Sequence, residues 1–331
     1  MTDEHTNSRL NCMACQRYWT FVPTPLAAQV AQYQMSEKVA QRLAYVRVQF
    51  AYFENLLEML PDRAFYVEIL LQKDVLSSAQ IEGNRATLAD LWTPSSKGKA
   101  NLDADEVMAH IEAAHFALAS LLDPNGLPLS LRLLTEAHAH LMACERGRGK
   151  ASGVFRAHQN WIGDEGCTIQ EATFVPPNPQ DMKIALDDLE RYMHSHDTLH
   201  PFLRAALIHY QFETIHSFID GNGSIGRLLI WLFLMQEDVI SAPYLPISSE
   251  LLAHRETYLE HLNAVREHAA LDDWFLFFLE ALSDALDEAR DFINHLEGRS
   301  AHDKTPITDE AKRERAYAYF QNKAHDEMKA P

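Results

Sequence analysis

One stretch of thirteen residues decides both the architecture and the chemistry expected of this chain: Ile215-His216-Ser217-Phe218-Ile219-Asp220-Gly221-Asn222-Gly223-Ser224-Ile225-Gly226-Arg227. The residues before it, 201–215, begin with a proline suited to a first helical position and carry apolar residues at helical spacing. The residues after it, 228–235, are apolar on every side, which is typical of a buried helix. The stretch is therefore predicted to form a tight loop between two helices.

The glycines in this loop predict a phosphate-binding site. Gly221 and Gly223 can adopt positive φ angles, which turn consecutive backbone N–H groups toward one anion. The loop opens into a helix N-terminus, whose partial positive charge also favours an anion. Arg227 follows one helical turn beyond Gly223 on the same face, so its guanidinium is placed to meet the far end of a triphosphate.

Two further side chains in the loop add a metal ligand and a base. The carboxylate of Asp220 stands beside the glycines, and Mg²⁺ commonly binds one or two carboxylates together with phosphate oxygens. The imidazole of His216 titrates near neutrality, so it can take a proton from a hydroxyl that attacks phosphorus. Together with the phosphate loop, these residue types predict phosphoryl or nucleotidyl transfer.

At these positions the chain resembles the Fic (filamentation induced by cAMP) family, whose signature is H-x-F-x-[D/E]-G-N-G-R-x-x-R. The matching residues are His216, Phe218, Asp220, Gly221, Asn222, Gly223 and Arg227. The resemblance implies a protein adenylyltransferase, a nucleotidyltransferase that moves AMP from ATP to a Ser, Thr or Tyr hydroxyl of a target protein, which could be the protein itself. It implies ATP as substrate and Mg²⁺ as cofactor. The implied roles are His216 as catalytic base, Asp220 as metal ligand, and Gly221, Asn222, Gly223, Ser224 and Arg227 as the phosphate-binding residues.

One position departs from the signature in a way that affects this expectation. Ser224 stands where the family has its first arginine, so a fixed cation and five N–H donors are missing beside the phosphates. Losing one such charge-assisted contact costs about 1.5–3 kcal/mol, or one to two orders of magnitude in rate. Weak activity or an altered choice of nucleotide would follow.

A second segment, Ser77-Ser78-Ala79-Gln80-Ile81-Glu82-Gly83-Asn84, ends a helical pattern with an electrostatic conflict. Gly83 predicts the helix end, which places the carboxylate of Glu82 at the negative end of the helix dipole. Such local conflicts often mark function. The segment resembles the inhibitory motif [S/T]-x-x-x-E-[G/N] of many Fic proteins, matched by Ser78, Glu82 and Gly83, in the N-terminal position of class II members. By this resemblance Glu82 pairs with Arg227 in the place of the ATP γ-phosphate and causes autoinhibition.

Two alternative functions stay open at this point. The protein could chiefly be a hydrolase that removes AMP from targets (deAMPylation), using Glu82 to activate water. It could instead be a weakly active, nucleotide-binding regulatory module because of Ser224. Transfer of UMP or phosphocholine is a further alternative, since the signature specifies phosphate chemistry better than it specifies the base.

The least helical part of the chain, residues 159–177, predicts a short β-hairpin. Residues 160–163 and 172–175 flank a turn-rich segment. Similar segments in Fic proteins form a flap over the active site, where an exposed strand edge can align an extended target segment. A purely structural hairpin is the alternative.

Composition predicts a mainly α-helical bundle, which matches a Fic-type fold with a short β-hairpin flap. The chain has 331 residues, of which 47% are apolar, and only 12 glycines and 14 prolines. Amphipathic helical patterns run through residues 35–60, 104–122, 129–142, 181–194 and 274–296. The expected domains are an N-terminal helical region with the inhibitory motif (1–100), the Fic catalytic core (101–298) and a polar C-terminal tail (299–331), whose charges favour a solvated run over a short helix.

Charge and hydropathy narrow the classes of partner and the location. The net charge is −18, whereas binding to a nucleic-acid backbone needs a concentrated basic face, so nucleic acid is not an expected partner. The apolar run 228–235 is too short to cross a bilayer, so no membrane association is expected. These features predict a cytoplasmic location, and a homodimer is an open alternative.

Overall fold

The computed structural model describes residues 8–13, 16–92, 101–164, 166–300 and 309–327, and in them it is mainly α-helical. The first helices are α1 (Leu26–Gln32), α2 (Glu37–Met59), α3 (Arg63–Ile81), α4 (Leu88–Trp92), α5 (Leu102–Leu122), α6 (Leu131–Leu141) and α7 (Pro179–Met193). The remaining helices are α8 (Pro201–Ile215), α9 (Asn222–Gln236), α10 (Ile247–Ala253), α11 (Arg255–His268), α12 (Leu271–Ser300) and α13 (Asp309–Glu327). Each helical pattern expected from the sequence coincides with one of these helices.

Short polar residues begin several of these helices. Ser36, Asn101 and Ser130 each accept a hydrogen bond from the third backbone N–H of the helix that follows, as expected of N-cap residues. Asn178 caps α7 in the same way and is followed by Pro179 at the first helical position. Pro201 has this position in α8, as predicted.

The centre of the bundle is the pair α8 and α9, which the predicted tight loop connects. Both helices are buried on every side from Phe202 to Ile215 and from Asn222 to Met235. Helices α1, α7 and α12 pack on α8, while α3, α5 and α6 pack on α9. Because the two helices are fixed from all sides, the loop between them is held on a rigid support, which suits a site that needs defined geometry.

The β-structure differs from the expectation. The predicted hairpin at 159–177 is reduced to one antiparallel bridge between Ile162 and Phe174. A regular antiparallel pair lies instead near the N-terminus, where β1 (Ser8–Met13) pairs with β2 (Gln16–Phe21). The end of β2 continues toward the bridge, since the Phe21 N–H donates to the Val175 carbonyl at 2.9 Å.

The charged C-terminal run is a helix in the structure, whereas the sequence favoured a solvated run. Helix α13 places two buried residues, Ala316 and Phe320, toward the bundle, and the Phe320 ring stacks on Phe292 of α12. Lys312 forms an ion pair with Asp62 at the start of α3. The apolar residues lie between charged ones at helical spacing, which is why burial of one face outweighs the solvation of the other.

Candidate active site

The site begins where α8 ends, at a residue with an unusual backbone. His216 has φ +50 and ψ 59, in the left-handed region, and its N–H donates to the Phe212 carbonyl at 3.1 Å. A non-glycine residue in this region costs about 1–2 kcal/mol, so neighbouring contacts must compensate. The conformation ends α8 abruptly and directs the chain into the loop.

Two buried side chains that sequence reasoning missed provide those contacts. Arg156 donates from Nε to the His216 carbonyl at 2.9 Å and from Nη2 to the Pro177 carbonyl at 2.5 Å. Asn160 donates from Nδ2 to the carbonyls of His216 at 3.3 Å and Phe218 at 3.2 Å. Burial lowers the pKa of Arg156 to about 10, which still leaves it charged at neutral pH. The only signal in the sequence was an isolated arginine in a polar, turn-rich segment.

Asn222 closes the loop from its other side. Its Oδ1 accepts from the Phe218 N–H at 2.8 Å, and its Nδ2 donates to the Phe218 carbonyl at 2.9 Å. Because this amide is engaged within the protein, the predicted phosphate contact of Asn222 is left to its backbone N–H. That N–H belongs to the first turn of α9, where N–H groups have no partner within the helix.

The two glycines have different roles, and the prediction for Gly223 was wrong. Gly221 has φ +77 and caps α9, as expected. Gly223 is an ordinary helical residue, without a positive φ. A Cβ atom at Gly223 would lie 2.1 Å from Oε1 of Glu82 and 2.9 Å from Nη1 of Arg227. Glycine is needed there because two charged groups approach the backbone closely.

His138, on α6, supports the loop beneath Asp220. Its Nδ1 accepts from the Gly153 N–H at 3.0 Å, so its Nε2 must carry the proton that is donated to the Asp220 carbonyl at 3.0 Å. Its ring stacks on Phe218, with centroids 3.8 Å apart and planes at 4°. Burial lowers the pKa of His138, which keeps this neutral tautomer in place.

The side chain of Asp220 is half-exposed and ionised. Its Oδ1 accepts from the Gly221 N–H at 2.9 Å, and its Oδ2 forms an ion pair with Lys150. Burial alone would raise the pKa of Asp220, but Lys150 and the Gly221 N–H hold it below its usual range. An ionised oxygen donor beside a phosphate-binding helix end fits Mg²⁺, which needs few protein ligands when phosphates and water complete its shell. Within the described residues no cluster of three His, Cys, Asp or Glu residues offers a closed metal site.

Arg227 is buried and held by α3. Its Nε donates to Ser78 Oγ at 2.7 Å, and its Nη2 donates to the Ser78 carbonyl at 3.0 Å. The same Nη2 donates to Oε1 of Glu82 at 2.8 Å. Glu82 caps the C-terminus of α3, and Gly83 follows it with φ +91, so the predicted helix end is confirmed. The structure thus brings together Ser78, Glu82, Gly223 and Arg227 at the first turn of α9.

Electrostatics separate the charged and neutral groups of the site. Burial would lower the pKa of Arg227, but the carboxylate of Glu82 raises it, so the guanidinium stays charged. Burial lowers the pKa of His216 to about 4, so its imidazole is neutral at physiological pH and can accept a proton. Burial raises the pKa of Glu213, one turn earlier on α8, to about 7.

Ser224 is buried in the first turn of α9. It lines a small cavity of about 20 Å³ together with Asp74, Ser78 and His110. This space holds about one water molecule and is smaller than an arginine side chain. The phosphate contact predicted for Ser224 is therefore best assigned to its backbone N–H.

The bridge segment lies next to the loop through Asn160, which bonds to two loop carbonyls. Ile162 exchanges backbone hydrogen bonds of 2.8 and 3.1 Å with Phe174. The ring of Phe174 stacks against the guanidinium of Arg266 on α11 at 4.0 Å. Arg266 in turn donates from Nε to Thr214 Oγ1, two residues before His216, at 3.1 Å. The predicted flap thus flanks the candidate base.

Comparison with known proteins gives this arrangement a family. Residues 128–234 match the sequence model of the Fic/DOC family, and this range includes the whole loop and α9 up to Leu234. The chain is a Fic/DOC family protein. Its α8–loop–α9 unit is therefore the Fic motif in a three-dimensional setting.

Curated relatives include insect proteins named protein adenylyltransferase Fic. The protein from Drosophila erecta is 31% identical over 169 residues, covering 49% of this chain and 32% of its own. That from Aedes aegypti is 28% identical over 200 residues, covering 58% and 36%. This Fic/DOC chain therefore spans about a third of the length of the curated relatives it matches.

Solved structures support the fold. A Fic family protein from Desulfovibrio desulfuricans superposes with a TM-score of 0.64 at 22% identity, covering 79% of this chain and 77% of that one. A fragment of Fic-1 from C. elegans superposes with a TM-score of 0.58 at 20% identity, covering 77% and 73%. The predicted mainly α-helical Fic fold is confirmed. In the described residues no helix is both long and apolar enough to span a membrane.

Proposed function

We propose that this protein is a protein adenylyltransferase that transfers AMP from ATP to a hydroxyl group of a target protein, and that Glu82 restrains it. The observation that carries the proposal is the 2.8 Å contact between Glu82 and Arg227 at the N-terminus of α9. A carboxylate held there marks a site built for an anion, since the backbone N–H groups of the first turn and the guanidinium converge on it. The named activity of the insect relatives supports the same chemistry.

The proposed chemistry uses each part of the site once. The hydroxyl oxygen attacks the α-phosphorus, the bond from that phosphorus to the bridging oxygen breaks, and pyrophosphate leaves. The neutral imidazole of His216 takes the hydroxyl proton. The N–H groups of Asn222, Gly223 and Ser224 bind phosphate oxygens at the dipole-positive end of α9. When bound, Mg²⁺ would be held by Asp220 and would neutralise phosphate charge.

Restraint follows from competition for one cation. Nη2 of Arg227 already donates to Glu82, and Ser78 holds the rest of the guanidinium. A γ-phosphate that approaches Arg227 meets the carboxylate of Glu82, which is also close to Gly223. Two anions cannot share this position without strong repulsion, so Glu82 must leave before a triphosphate binds productively.

A transfer assay with radiolabelled ATP and Mg²⁺ tests the proposal. We expect Glu82→Gly to label itself or an added protein at least about tenfold faster than the parent, which corresponds to removing about 1.4 kcal/mol of competition. The double variant Glu82→Gly, His216→Ala should lose the label but still bind ATP. ATP binding without any transfer by Glu82→Gly would contradict the proposal and favour a nucleotide-binding module.

A second candidate, removal of AMP, rests on the position of Glu82 itself. Arg227 holds its Oε1, while the side chain is half-exposed and so accessible to water at the nucleotide site. A carboxylate in that place can orient a water molecule toward phosphorus. A pre-adenylylated protein incubated with the parent and with Glu82→Gln separates the two activities, because only hydrolysis depends on retaining the carboxylate.

A further inference from the structure

Helix α2 has two apolar faces on opposite sides. The inner face consists of buried residues that pack into the bundle, chiefly on α12: Val39, Leu43, Val46, Phe50, Phe53 and Leu57. Their sequence spacing alternates between four and three, which is the spacing of a coiled-coil seam. This face accounts for the position of α2 in the fold.

The outer face repeats the same spacing on the side turned to solvent. We name as the outer seam the residues Gln41, Tyr45, Val48, Tyr52, Asn55 and Met59. Four of them are large apolar side chains with high exposure: Tyr45 at 54%, Val48 at 70%, Tyr52 at 64% and Met59 at 81%. Single exposed apolar residues are ordinary, but four at heptad spacing along one helix form a continuous stripe of the kind that a second helix covers.

A groove lies at the middle of the outer seam. It has a volume of about 230 Å³ and runs between α2 and α12, with Val48 and Tyr52 on one side and Leu286 on the other. Binding energy in interfaces concentrates in such central apolar pockets when an aromatic side chain fills them. Tyr45 and Tyr52 supply aromatic side chains on the same stripe.

The charges of α2 identify its partner. Lys38, Arg42 and Arg47 lie in the first half of the helix, whereas Glu54 and Glu58 lie in the second. With Glu37, the helix carries three charges of each sign and is neutral, although the whole chain carries −18. Two copies that meet elsewhere would repel each other, while α2 offers a neutral contact.

The orientation of the contact follows from the same charges. In an antiparallel pair the basic half of one helix faces the acidic half of the other, and the helix dipoles also oppose each other. A parallel pair would place like charges side by side. Centring the pair between Val48 and Tyr52 puts Val48 opposite Tyr52 and Gln41 opposite Met59, which aligns the outer seam with itself.

We propose that the outer seam of α2 is a dimer interface, in which a second copy of this chain binds antiparallel and inserts its tyrosines into the groove beside Leu286. The proposal stands independently of the catalytic function. A helix of 23 residues is about 35 Å long, so the contact is a small interface, and we expect a dissociation constant in about the micromolar range.

Sedimentation velocity of the full chain across a wide range of concentration tests the proposal. We expect a monomer–dimer equilibrium in the parent, and at least about tenfold weaker association for Val48→Glu, because it places two carboxylates at the centre of the contact. An equimolar mixture of Val48→Glu and Val48→Lys should associate more strongly than either variant alone. Ile184→Glu on α7 is the matched control, since Ile184 is an equally exposed apolar residue at 61%.

Site-specific cross-linking tests the orientation. A photoreactive benzoylphenylalanine at Met59 should attach to residues near Gln41 of the second copy, and attachment near residue 59 would overturn the antiparallel arrangement. A parent that stays monomeric at every concentration would overturn the proposal. A dimer that Val48→Glu weakens no more than Ile184→Glu does would also overturn it.

Discussion

Oε1 of Glu82 and Nη2 of Arg227 are 2.8 Å apart, although 145 positions separate the two residues in the sequence. The contact joins the end of α3 to the first turns of α9, and it lies against Gly223. Arg227 is buried, whereas Glu82 is half-exposed at 49%. The cation is therefore fixed within the fold, while the acid can leave with little disruption of the core.

The bond between Ser78 and Arg227 should contribute measurably to stability. Both side chains are buried, and Nε donates to Ser78 Oγ at 2.7 Å. Ser78→Ala leaves a buried charged donor without its acceptor, so we expect the free energy of unfolding to fall by about 1.5–3 kcal/mol. Urea denaturation followed by circular dichroism gives this value.

The neighbouring serine gives a matched control for that measurement. Ser77 is buried on the same helix, and its hydroxyl bonds to Ser249 Oγ at 3.1 Å rather than to Arg227. We expect Ser77→Ala to cost about 0.5–1.5 kcal/mol, as for a neutral hydrogen bond. Equal losses in both variants would mean that the contact with Arg227 has no special weight.

Lys150 should compete with a metal ion at Asp220. Its ammonium pairs with the carboxylate oxygen that Mg²⁺ would use, but both side chains are partly exposed at 39% and 49%. Exposed pairs are worth about 0–1 kcal/mol, so Lys150→Gln should tighten Mn²⁺ binding by only about two- to fivefold. Electron paramagnetic resonance titration of free Mn²⁺ measures the affinity.

Arg148→Gln provides the control for this titration, because Arg148 lies in the same loop and pairs with Glu145 instead. Its affinity for Mn²⁺ should match that of the parent. If Lys150→Gln bound Mn²⁺ no better than Arg148→Gln, the ammonium would not compete for the site.

The α-helices were predictable because their patterns are local. Capping residues, Pro201 at a first helical position and the wholly apolar run of α9 each specify structure within one turn or two. The end of α3 at Gly83 was predictable for the same reason. The β-bridge of Ile162 and Phe174 was overextended in the prediction, because alternation in a short loop does not specify how many backbone pairs form.

The supports of the loop were not predictable, because they depend on contacts between distant segments. Arg156 and Asn160 bond to backbone carbonyls of the loop, and backbone acceptors leave no trace in the sequence of the partner. His138 was considered only as a metal ligand, yet it bonds to the Asp220 carbonyl. Gly223 was assigned a positive φ because the sequence does not reveal which side chains will approach it.

His138 should matter through the loop that carries Asp220. His138→Phe keeps a ring against Phe218 but removes the donor to the Asp220 carbonyl and the acceptor for the Gly153 N–H. We expect Mn²⁺ affinity and AMP transfer to fall by about tenfold, the equivalent of one lost hydrogen bond of about 1.4 kcal/mol. His140→Phe is the control, since the His140 ring stacks on Phe116. Unchanged metal affinity in His138→Phe would contradict a positioning role.

Glu213 should make the protein less stable as pH rises. Burial raises the pKa of this carboxyl from 4.5 to about 7. The unfolded chain therefore loses the proton near pH 4.5, while the folded protein keeps it up to about pH 7, so stability falls across this interval and the penalty is complete above it. Glu213→Gln removes the titration, and its free energy of unfolding should gain about 3 kcal/mol on the parent between pH 4 and pH 8. Urea denaturation at a series of pH values measures the difference, with the more exposed Glu136→Gln as control. Parallel pH profiles for the parent and Glu213→Gln would show that the carboxyl ionises alike in both states, and would sink the expectation.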